Sequence, residues 1–310
     1  MKPERTLVCV IGQTRAHQLT WTSFKKNVLD ELSADLALVI HLGNNYDYSN
    51  PFWQHATYRW PSPEYEDWAD GFDEAQCWLV PDGPYPDWRK VAAVGSHWLG
   101  GIKASGQPYM CAALIYFRWL LRHKIYQHGL LDRYDRFIIT RSDYLWACPH
   151  PPLSVLPREN IWFPDGEYHQ GLTDRHMVVS VLSPYRSDLD VALGLIDDIV
   201  CCPDSLLQRF GGYSDFNIER YQHFQIKAHG RMDRVRMFPY VMYTVRGDID
   251  NHTDRTPGVW CDYLGMYVKS QSEYDSADKW KRMLKTKADW ERLTVEHPEE
   301  FEQKAIRFGS

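Results

Sequence analysis

The stretch of sequence that decides the fold is YDRFIITRSDYLW, which runs from Tyr134 to Trp146. Its centre is an apolar, β-branched run that ends abruptly at Arg141, Ser142 and Asp143. A short apolar run bounded by polar residues is typical of a buried strand in a mostly parallel sheet. Ligands of open α/β sheets bind just beyond the carboxyl ends of the strands, so these three residues are predicted to lie at a binding edge.

Arg141 and Asp143 suit a diphosphate, with or without a metal ion. Side chains alternate along a strand, so the two side chains are expected on the same side of the chain. A carboxylate can hold a hard divalent cation, and a guanidinium pairs with phosphate. The alternative is a salt bridge that closes the strand without any ligand.

The neighbouring segments predict an α/β fold. Residues 6–12 and 37–43 have the composition of strands, and helical periodicity lies between them from Trp21 to Leu32. This order predicts two parallel strands joined by a right-handed crossover. A strong helix is expected from about residue 105 to 129, directly before the central strand. We therefore predict a mostly parallel central sheet flanked by helices.

The chain is predicted to form one domain over residues 1–275, followed by a helical tail over 276–310. Residues 44–108 form an insertion rich in Trp, Tyr and Pro, a composition that does not indicate disorder. We expect this insertion to lie over one face of the sheet, either as a lid that carries specificity or as a structural wrap. The tail is expected to dock through apolar side chains at helical spacing, namely Trp280, Met283, Leu284, Trp290 and Leu293.

The composition limits the function classes. The 310 residues include 35 basic and 41 acidic side chains, for a formal charge of −6, which argues against nucleic acid as a partner. Aromatic residues make up 14%, which suits a cleft for sugars or bases. The seven cysteines are scattered and indicate neither a zinc site nor a disulfide framework. We find no secretory leader and no apolar run that predicts a transmembrane segment, so a cytoplasmic location is expected.

The first strand ends in a second candidate binding segment. Gly12 allows the backbone to approach a ligand closely, and Arg15 is long enough to reach a phosphate or a base edge. The sequence Gly12-Gln13-Thr14-Arg15 is not a G-x-G-x-x-G loop, so the dinucleotide-binding fingerprint is absent.

Two carboxylates stand out further along the chain. Asp174 lies at the end of a glycine-containing loop, just before a predicted strand, where a catalytic group can face an acceptor. Glu219 lies near the start of a predicted amphipathic helix over 214–226. The alternatives are a turn or cap residue for Asp174 and the far half of a capping box for Glu219.

Four landmarks together resemble small bacterial and large-DNA-virus glycosyltransferases with the GT-A fold. The order and spacing of these landmarks carry the resemblance, which extends to about residue 243 and leaves the insertion and the tail unmatched. The first landmark is Gly12, Gln13 and Arg15, followed by His41 near the end of the second strand, and the second is the block from Tyr134 to Asp143. The third is the segment with Gly171, Asp174 and Arg175, and the fourth is the helix with Asn217 and Glu219.

The resemblance implies a nucleotide-sugar donor whose diphosphate is usually bridged by Mn²⁺ or Mg²⁺. Such enzymes commonly carry Asp-x-Asp at the end of the central strand, whereas Arg-Ser-Asp stands here. Asp143 is the remaining metal ligand, with His252 or Asp250 as its helper; alternatively, Arg141 neutralises the phosphates and no metal is needed. The residues implied to bind the donor are Gly12, Gln13, Arg15, His41, Arg141, Ser142 and Asp143.

The implied activity is transfer of a hexosyl or pentosyl group from a nucleoside-diphosphate sugar, with UDP favoured, to a hydroxyl of a glycan acceptor. Asp174 is the first candidate for the carboxylate base and Glu219 the second. In an inverting enzyme one of them is the base, and in a retaining enzyme the carboxylate stabilises the cationic sugar. A glycoside hydrolase and a non-catalytic carbohydrate-binding protein are the two alternatives.

Overall fold

A computed structural model describes residues 4–43, 46–63, 65–92, 111–181, 185–210, 218–247, 259–261 and 264–302. The strands among them are β1 (Thr6–Gly12), β2 (Asp35–Ile40), β3 (Tyr58–Pro61), β4 (Arg136–Thr140), β5 (Tyr144–Trp146), β6 (Ile161–Pro164), β7 (Met177–Ser180), β8 (Val235–Phe238), β9 (Met242–Gly247), β10 (Val259–Cys261) and β11 (Met266–Val268).

The helices within the same ranges are α1 (His17–Phe24), α2 (Pro51–His55), α3 (Trp68–Leu79), α4 (Arg89–Ala92), α5 (Cys111–Gln127), α6 (Arg186–Leu193), α7 (Asp197–Cys201), α8 (Pro203–Phe210), α9 (Ile218–Ala228), α10 (Gln271–Lys281) and α11 (Lys287–Glu296). A π-helical segment (Lys25–Asp30) continues α1. None of the helices in the described ranges has the length and apolar character that a membrane crossing requires.

The central sheet has seven described strands in the order β3-β2-β1-β4-β7-β6-β8. Strand β1 pairs in parallel with β2 and β4, β2 with β3, and β6 with β8. Strand β7 runs antiparallel to both of its neighbours. This confirms the predicted mixed α/β fold with a mostly parallel central sheet flanked by helices.

The strand order reverses at β1. The chain passes from β1 outward to β2 and β3, and it later returns to the other side of β1 with β4. Such a reversal opens a crevice at the carboxyl ends of the two central strands, which is where open α/β sheets bind their ligands. A binding crevice is therefore expected beyond Gly12 of β1 and Thr140 of β4.

Both faces of the sheet are buried, as expected for strands with continuous apolar runs. Side chains of β1 alternate between two apolar layers because a strand has a period of two. Leu7, Cys9 and Ile11 pack in the layer that contains α3, α5 and α6. Val8 and Val10 pack in the opposite layer, with α1 and α11.

The predicted insertion contains structure that the sequence did not indicate. Strand β3 is the edge strand of the central sheet, and Arg59 in it pairs with Leu38 of β2. Trp68 and Phe72 of α3 are buried in the core beside α5. The middle of the stretch 44–108 is therefore part of the main fold, whereas its residues 93–108 lie outside the described ranges.

Several predicted elements differ in their limits. The helix expected from 105 is described from Cys111, and it ends before Gly129, whose φ of 60° suits the predicted stop. The helix expected over 185–200 is two helices, because the N–H of Gly194 donates to the carbonyl of Asp190 and closes α6. The late strand pair is divided between sheets: β8 joins the central sheet, and β9 joins a second sheet with β5, β10 and β11.

The tail docks on the domain through most of the side chains predicted to do so. Trp280, Leu284, Trp290 and Leu293 are buried against the sheet layer that contains α1. Met283 is 44% exposed, so its predicted docking role is wrong. The predicted boundary between 275 and 276 falls inside α10, because this helix begins at Gln271.

Candidate active site

The carboxyl ends of three neighbouring strands form the first half of the candidate site. The backbone N–H of His41, just after β2, donates a 2.9 Å hydrogen bond to the carbonyl of Gly12 at the end of β1. Gly12 has a φ of 103°, and no described atom lies within 4 Å of the position that a Cβ would occupy there. A ligand can therefore approach the backbone of Gly12 closely.

Asp143 is held between two guanidinium groups at this edge. Its Oδ1 accepts a 3.0 Å hydrogen bond from Nε of Arg141, and its Oδ2 accepts a 2.7 Å hydrogen bond from Nη2 of the same side chain. Nε and Nη2 of Arg15 both lie 3.2 Å from Oδ2. Burial alone raises the pKa of Asp143, but the charges of Arg141 and Arg15 outweigh burial and hold that pKa well below its ordinary value.

Ser142 fixes the loop between these two side chains. Its hydroxyl donates a 2.7 Å hydrogen bond to the carbonyl of Gln13, and its own carbonyl accepts a 2.7 Å hydrogen bond from the hydroxyl of Thr20 in α1. Ser142 is fully buried. These contacts support a role in joining the ends of β1 and β4 instead of the donor contact that was predicted for its side chain.

The second half of the site is built on the loop before β7. Three residues of this loop have positive φ values, which residues other than glycine rarely adopt: 53° at Glu167, 38° at His169 and 68° at Gln170. The hydrogen bond that His169 donates to the carboxylate of Glu167 raises the pKa of His169. Such unfavourable backbone conformations persist only where the surrounding structure requires them, and they are common at functional sites.

Gly171 brings this loop against the start of α9. A Cβ at Gly171 would lie 2.0 Å from the carbonyl oxygen of Glu219, so only glycine fits. The next residue, Leu172, donates its backbone N–H to that same carbonyl at 3.0 Å. This contact places the end of the loop, with Asp174, beside Glu219.

Asp174 and Glu219 form a pair of nearly buried carboxyl groups. Asp174 is 8% exposed and Glu219 is 9% exposed, and neither carboxyl group accepts a hydrogen bond from any other residue that the structure describes. Burial and then the negative charge of Asp174 raise the pKa of Glu219 to about 7. A carboxyl with a pKa near the working pH is suited to accept or donate a proton.

A buried arginine, Arg118, contacts the backbone beside Asp174 and Glu219, which we call the acid pair. Nη2 of Arg118 donates a 2.8 Å hydrogen bond to the carbonyl of Asp174, and Nη1 donates to the side chain of Gln222. Gln222 in turn donates a 2.9 Å hydrogen bond to the carbonyl of Thr173. Burial lowers the pKa of Arg118 to about 10, which leaves it positively charged at neutral pH near both carboxylates.

Arg175 forms its ion pairs with Glu167 and Glu273, and its charge also lowers the pKa of Glu219 against the larger effect of burial. Its Nη1 lies 2.9 Å from Oε2 of Glu167 and contacts Glu273 of α10, which also accepts a 2.6 Å hydrogen bond from the N–H of Thr244. Arg175 and Glu273 are both about 2% exposed. This buried ion pair joins the loop, the second sheet and α10.

The two halves of the site meet at Arg141 and Asp174. The carboxylate of Asp174 is close enough to Arg141 to raise the pKa of that guanidinium, together with the larger effect of Asp143 and against the effect of burial. The structure therefore brings together the predicted residues from all four landmarks, which are Gly12, Gln13, Arg15, His41, Arg141, Ser142, Asp143, Asp174 and Glu219. Asn217, Asp250 and His252 lie outside the described residues.

The residues at Asp143 do not fit a divalent cation. Both carboxylate oxygens already accept hydrogen bonds from guanidinium groups, and a cation bound there would lie close to two positive charges. The described residues also contain no group of three or more His, Cys, Asp or Glu side chains with the geometry of a metal site. This arrangement argues against the predicted use of Asp143 as a ligand for Mn²⁺ or Mg²⁺.

Sequence reasoning missed three residues of the site. Arg118 lies among the apolar side chains of α5, and nothing in the sequence of this helix indicates its contact with Asp174. His169 lies in a polar loop, over residues 165–171, whose composition does not indicate a role for one particular side chain. Arg246, at the end of β9, adds a positive charge that lowers the pKa of Asp143 further. The one available signal was the position of Arg118, which is flanked on both sides by large apolar residues in the helix.

Comparisons with known proteins leave the family open. No family model matches the sequence, and no curated protein matches it. Among solved structures, the chain is similar to a crystal structure of mouse xyloside xylosyltransferase 1 in its apo form. The two share 10% sequence identity over 77% of this chain and 86% of the other, with a TM-score of 0.37. A likeness of this extent carries no argument about activity.

Proposed function

We propose that the protein is a glycosyltransferase that moves a hexosyl or pentosyl group from a nucleoside-diphosphate sugar, with UDP favoured, to a hydroxyl of a glycan acceptor. One observation carries this proposal. A pair of nearly buried carboxyl groups, Asp174 and Glu219, lies beside Arg141 at the reversal point of the strand order. The guanidinium of Arg141 can thus stabilise a leaving anion, and a neighbouring carboxylate can accept the proton of the acceptor hydroxyl.

The diphosphate is proposed to bind at the ends of β1 and β4. In the reaction the bond between the anomeric carbon and the diphosphate oxygen breaks, and its electron pair stays on that oxygen. The guanidinium of Arg141 stabilises the charge that develops there. The backbone at Gly12, where no described atom lies within 4 Å of the position of a Cβ, and the neighbouring Gln13 and His41 are proposed to line the nucleoside part of the donor.

Glu219 is proposed as the base, with Asp174 next to the anomeric carbon. The acceptor hydroxyl forms the new bond to this carbon and transfers its proton to the Glu219 carboxylate. A pKa of about 7 allows Glu219 to be deprotonated in a useful fraction of molecules and still to hold the proton it receives. Asp174, nearer to Arg141, is suited to stabilise positive charge on the sugar. This direct displacement inverts the anomeric centre.

Release of UDP or GDP from a panel of nucleotide sugars, with and without glycan acceptors, tests the proposal. We expect acceptor-dependent release with at least one donor, and a loss of about 100- to 10,000-fold in the variants Glu219→Gln and Asp174→Asn. The variant Glu291→Gln is the control, because Glu291 lies on the exposed side of α11. Activity that survives both site variants would contradict the assignment of the acid pair.

Glycoside hydrolysis is the second candidate function. It is favoured by the same carboxyl pair, since hydrolases use one carboxyl with a raised pKa beside an ionised one. It gives no role to Arg141 and Arg15. Hydrolysis of chromogenic glycosides without any nucleotide, unaffected by Arg141→Gln, would favour this candidate over transfer.

A further inference from the structure

We propose that Arg141 and Arg15 form a metal-independent binding site for a diphosphate, and that Asp143 holds these two arginines in place instead of holding a metal ion. The proposal deepens the proposed function, on which it rests for the nucleotide attached to the diphosphate. Three side chains, those of Arg141, Arg15 and Asp143, form the site.

Arg141 is held on one edge and open on another. It donates Nε–H and an Nη2–H to Asp143, while its Nη1 group makes no hydrogen bond to any residue that the structure describes. Its side chain is 19% exposed. A guanidinium has five N–H donors in a planar fork, so a fork fixed along one edge presents its remaining donors in a defined direction. This geometry suits a phosphate group.

Arg15 approaches the same carboxylate from the end of β1. It contacts Oδ2 of Asp143 at 3.2 Å, and its side chain is 40% exposed. Asp143 is shared by the two guanidinium groups. The two arginines follow adjacent parallel strands, so they flank the crevice at the reversal point of the sheet. A diphosphate there can contact both.

Asp143 itself is inaccessible to a ligand. It is 1% exposed, and its carbonyl accepts a 2.9 Å hydrogen bond from the N–H of Val245 in β9. Both carboxylate oxygens are used by arginine, and the preceding Ser142 is tied to Gln13. Hydrogen bonds therefore fix both the backbone and the carboxylate of Asp143, and the carboxylate orients the two guanidinium groups.

Calorimetric titration with pyrophosphate and with UDP, in EDTA and then with Mn²⁺ added, tests this inference. We expect both ligands to bind in EDTA, with affinities that Mn²⁺ changes by less than about threefold. Arg141→Gln should weaken binding about 10- to 100-fold, because it removes charge-assisted hydrogen bonds. Arg141→Lys keeps the positive charge but not the planar fork, so its affinity should lie between those of the wild type and Arg141→Gln. Asp143→Asn should retain measurable binding in EDTA.

Matched controls are available at the opposite ends of the same two strands. Arg5, just before β1, contacts Asp135, just before β4, through a 2.8 Å hydrogen bond from its N–H and a 3.5 Å ion pair. Arg5→Gln and Asp135→Asn remove the same charges far from the carboxyl ends. Neither control should change the affinity for pyrophosphate. Thermal unfolding of each variant confirms that it is folded before titration.

Three results would overturn the proposal, and they separate it from the proposed function. Binding that requires Mn²⁺ and is abolished by Asp143→Asn would make Asp143 a metal ligand and leave the transferase proposal intact. Binding in EDTA that Arg141→Gln does not weaken would place the diphosphate elsewhere. No binding of pyrophosphate or UDP under either condition would overturn both proposals.

Discussion

The backbone N–H of Leu172 donates a 3.0 Å hydrogen bond to the carbonyl oxygen of Glu219. This contact sets the loop before β7 directly on the first described turn of α9. It is the reason that two acidic side chains 45 positions apart in the sequence share one buried site, at residues 174 and 219. The contact depends on the absence of a side chain at Gly171.

Gly171→Ala should disrupt this contact. The added Cβ would lie 2.0 Å from the Glu219 carbonyl oxygen, and a backbone atom cannot rotate away. We expect a loss of about 3 kcal/mol in the free energy of unfolding, measured by chemical denaturation. Gly230→Ala is the control: its φ is also positive, at 64°, but the space around it is open, so a loss of only about 1 kcal/mol is expected. Equal losses in the two variants would contradict the predicted clash.

Glu219→Gln should stabilise the protein at pH 8 while it removes activity. Below pH 4.5, the ordinary pKa of Glu, both the folded and unfolded states hold the proton, and the two proteins should be equally stable. As the pH rises, the unfolded state ionises first, because the folded-state pKa is raised to about 7. The wild-type protein therefore loses stability relative to the variant up to about pH 7.

Above that pH, the advantage of the variant should stay constant at about 2–3 kcal/mol. Urea denaturation at pH 5 and pH 8 measures the difference. A variant that is less stable than the wild type at pH 8 would show that the Glu219 carboxylate has a stabilising partner in the folded state.

The pH dependence of transfer should report Glu219 and respond to Asp174. If Glu219 is the base, kcat/KM should fall as the pH decreases through about 7. In Asp174→Asn the remaining activity should fall at a lower pH, because the negative charge that raises the pKa of Glu219 is gone. Rate profiles between pH 4.5 and 9 measure both midpoints. An unchanged midpoint in Asp174→Asn would exclude the electrostatic coupling of the two groups.

Glu273→Gln should destabilise the whole domain and not the tail alone. The change leaves Arg175 buried with a weaker set of partners, although Glu167 still lies 2.9 Å away. Breaking a buried ion pair costs about 3–5 kcal/mol, and we expect about 3 kcal/mol in a single unfolding transition. Glu291→Gln, in an exposed pair with Lys287 on α11, should cost less than about 0.5 kcal/mol. A tail that unfolds separately would appear as a second transition.

The central strands and the positions of their carboxyl ends could be predicted from the sequence because each depends on a local pattern. The apolar runs of β1 and β4 mark buried strands, and the polar residues after Gly12 and Thr140 mark their carboxyl ends. Asp174 and Glu219 were found through the resemblance, and the structure brings them together. Their electrostatic coupling depends on packing between distant segments, which no local pattern contains.

The elements that could not be predicted owe their structure to partners far along the chain. Strand β3 has four residues, and only Trp60 in it is buried, so its sequence lacks the apolar run of a central strand. It is a strand because β2 offers it a free edge. The contact of Arg15 with Asp143 spans 128 positions, and that of Arg118 with Asp174 spans 56. Each follows from the order of strands and helices in the folded chain.

The buried pair of Arg175 and Glu273 also bears on synthesis of the chain. The two residues are 98 positions apart, and at roughly 5–20 residues per second a ribosome needs roughly 5–20 s to reach the second after the first. During that interval Arg175 lacks one of its two carboxylate partners, and enclosing its charge would be unfavourable. Native packing around β7 is therefore expected to wait until the segment with Glu273 has emerged. The ion pair would then delay closure of the nascent domain.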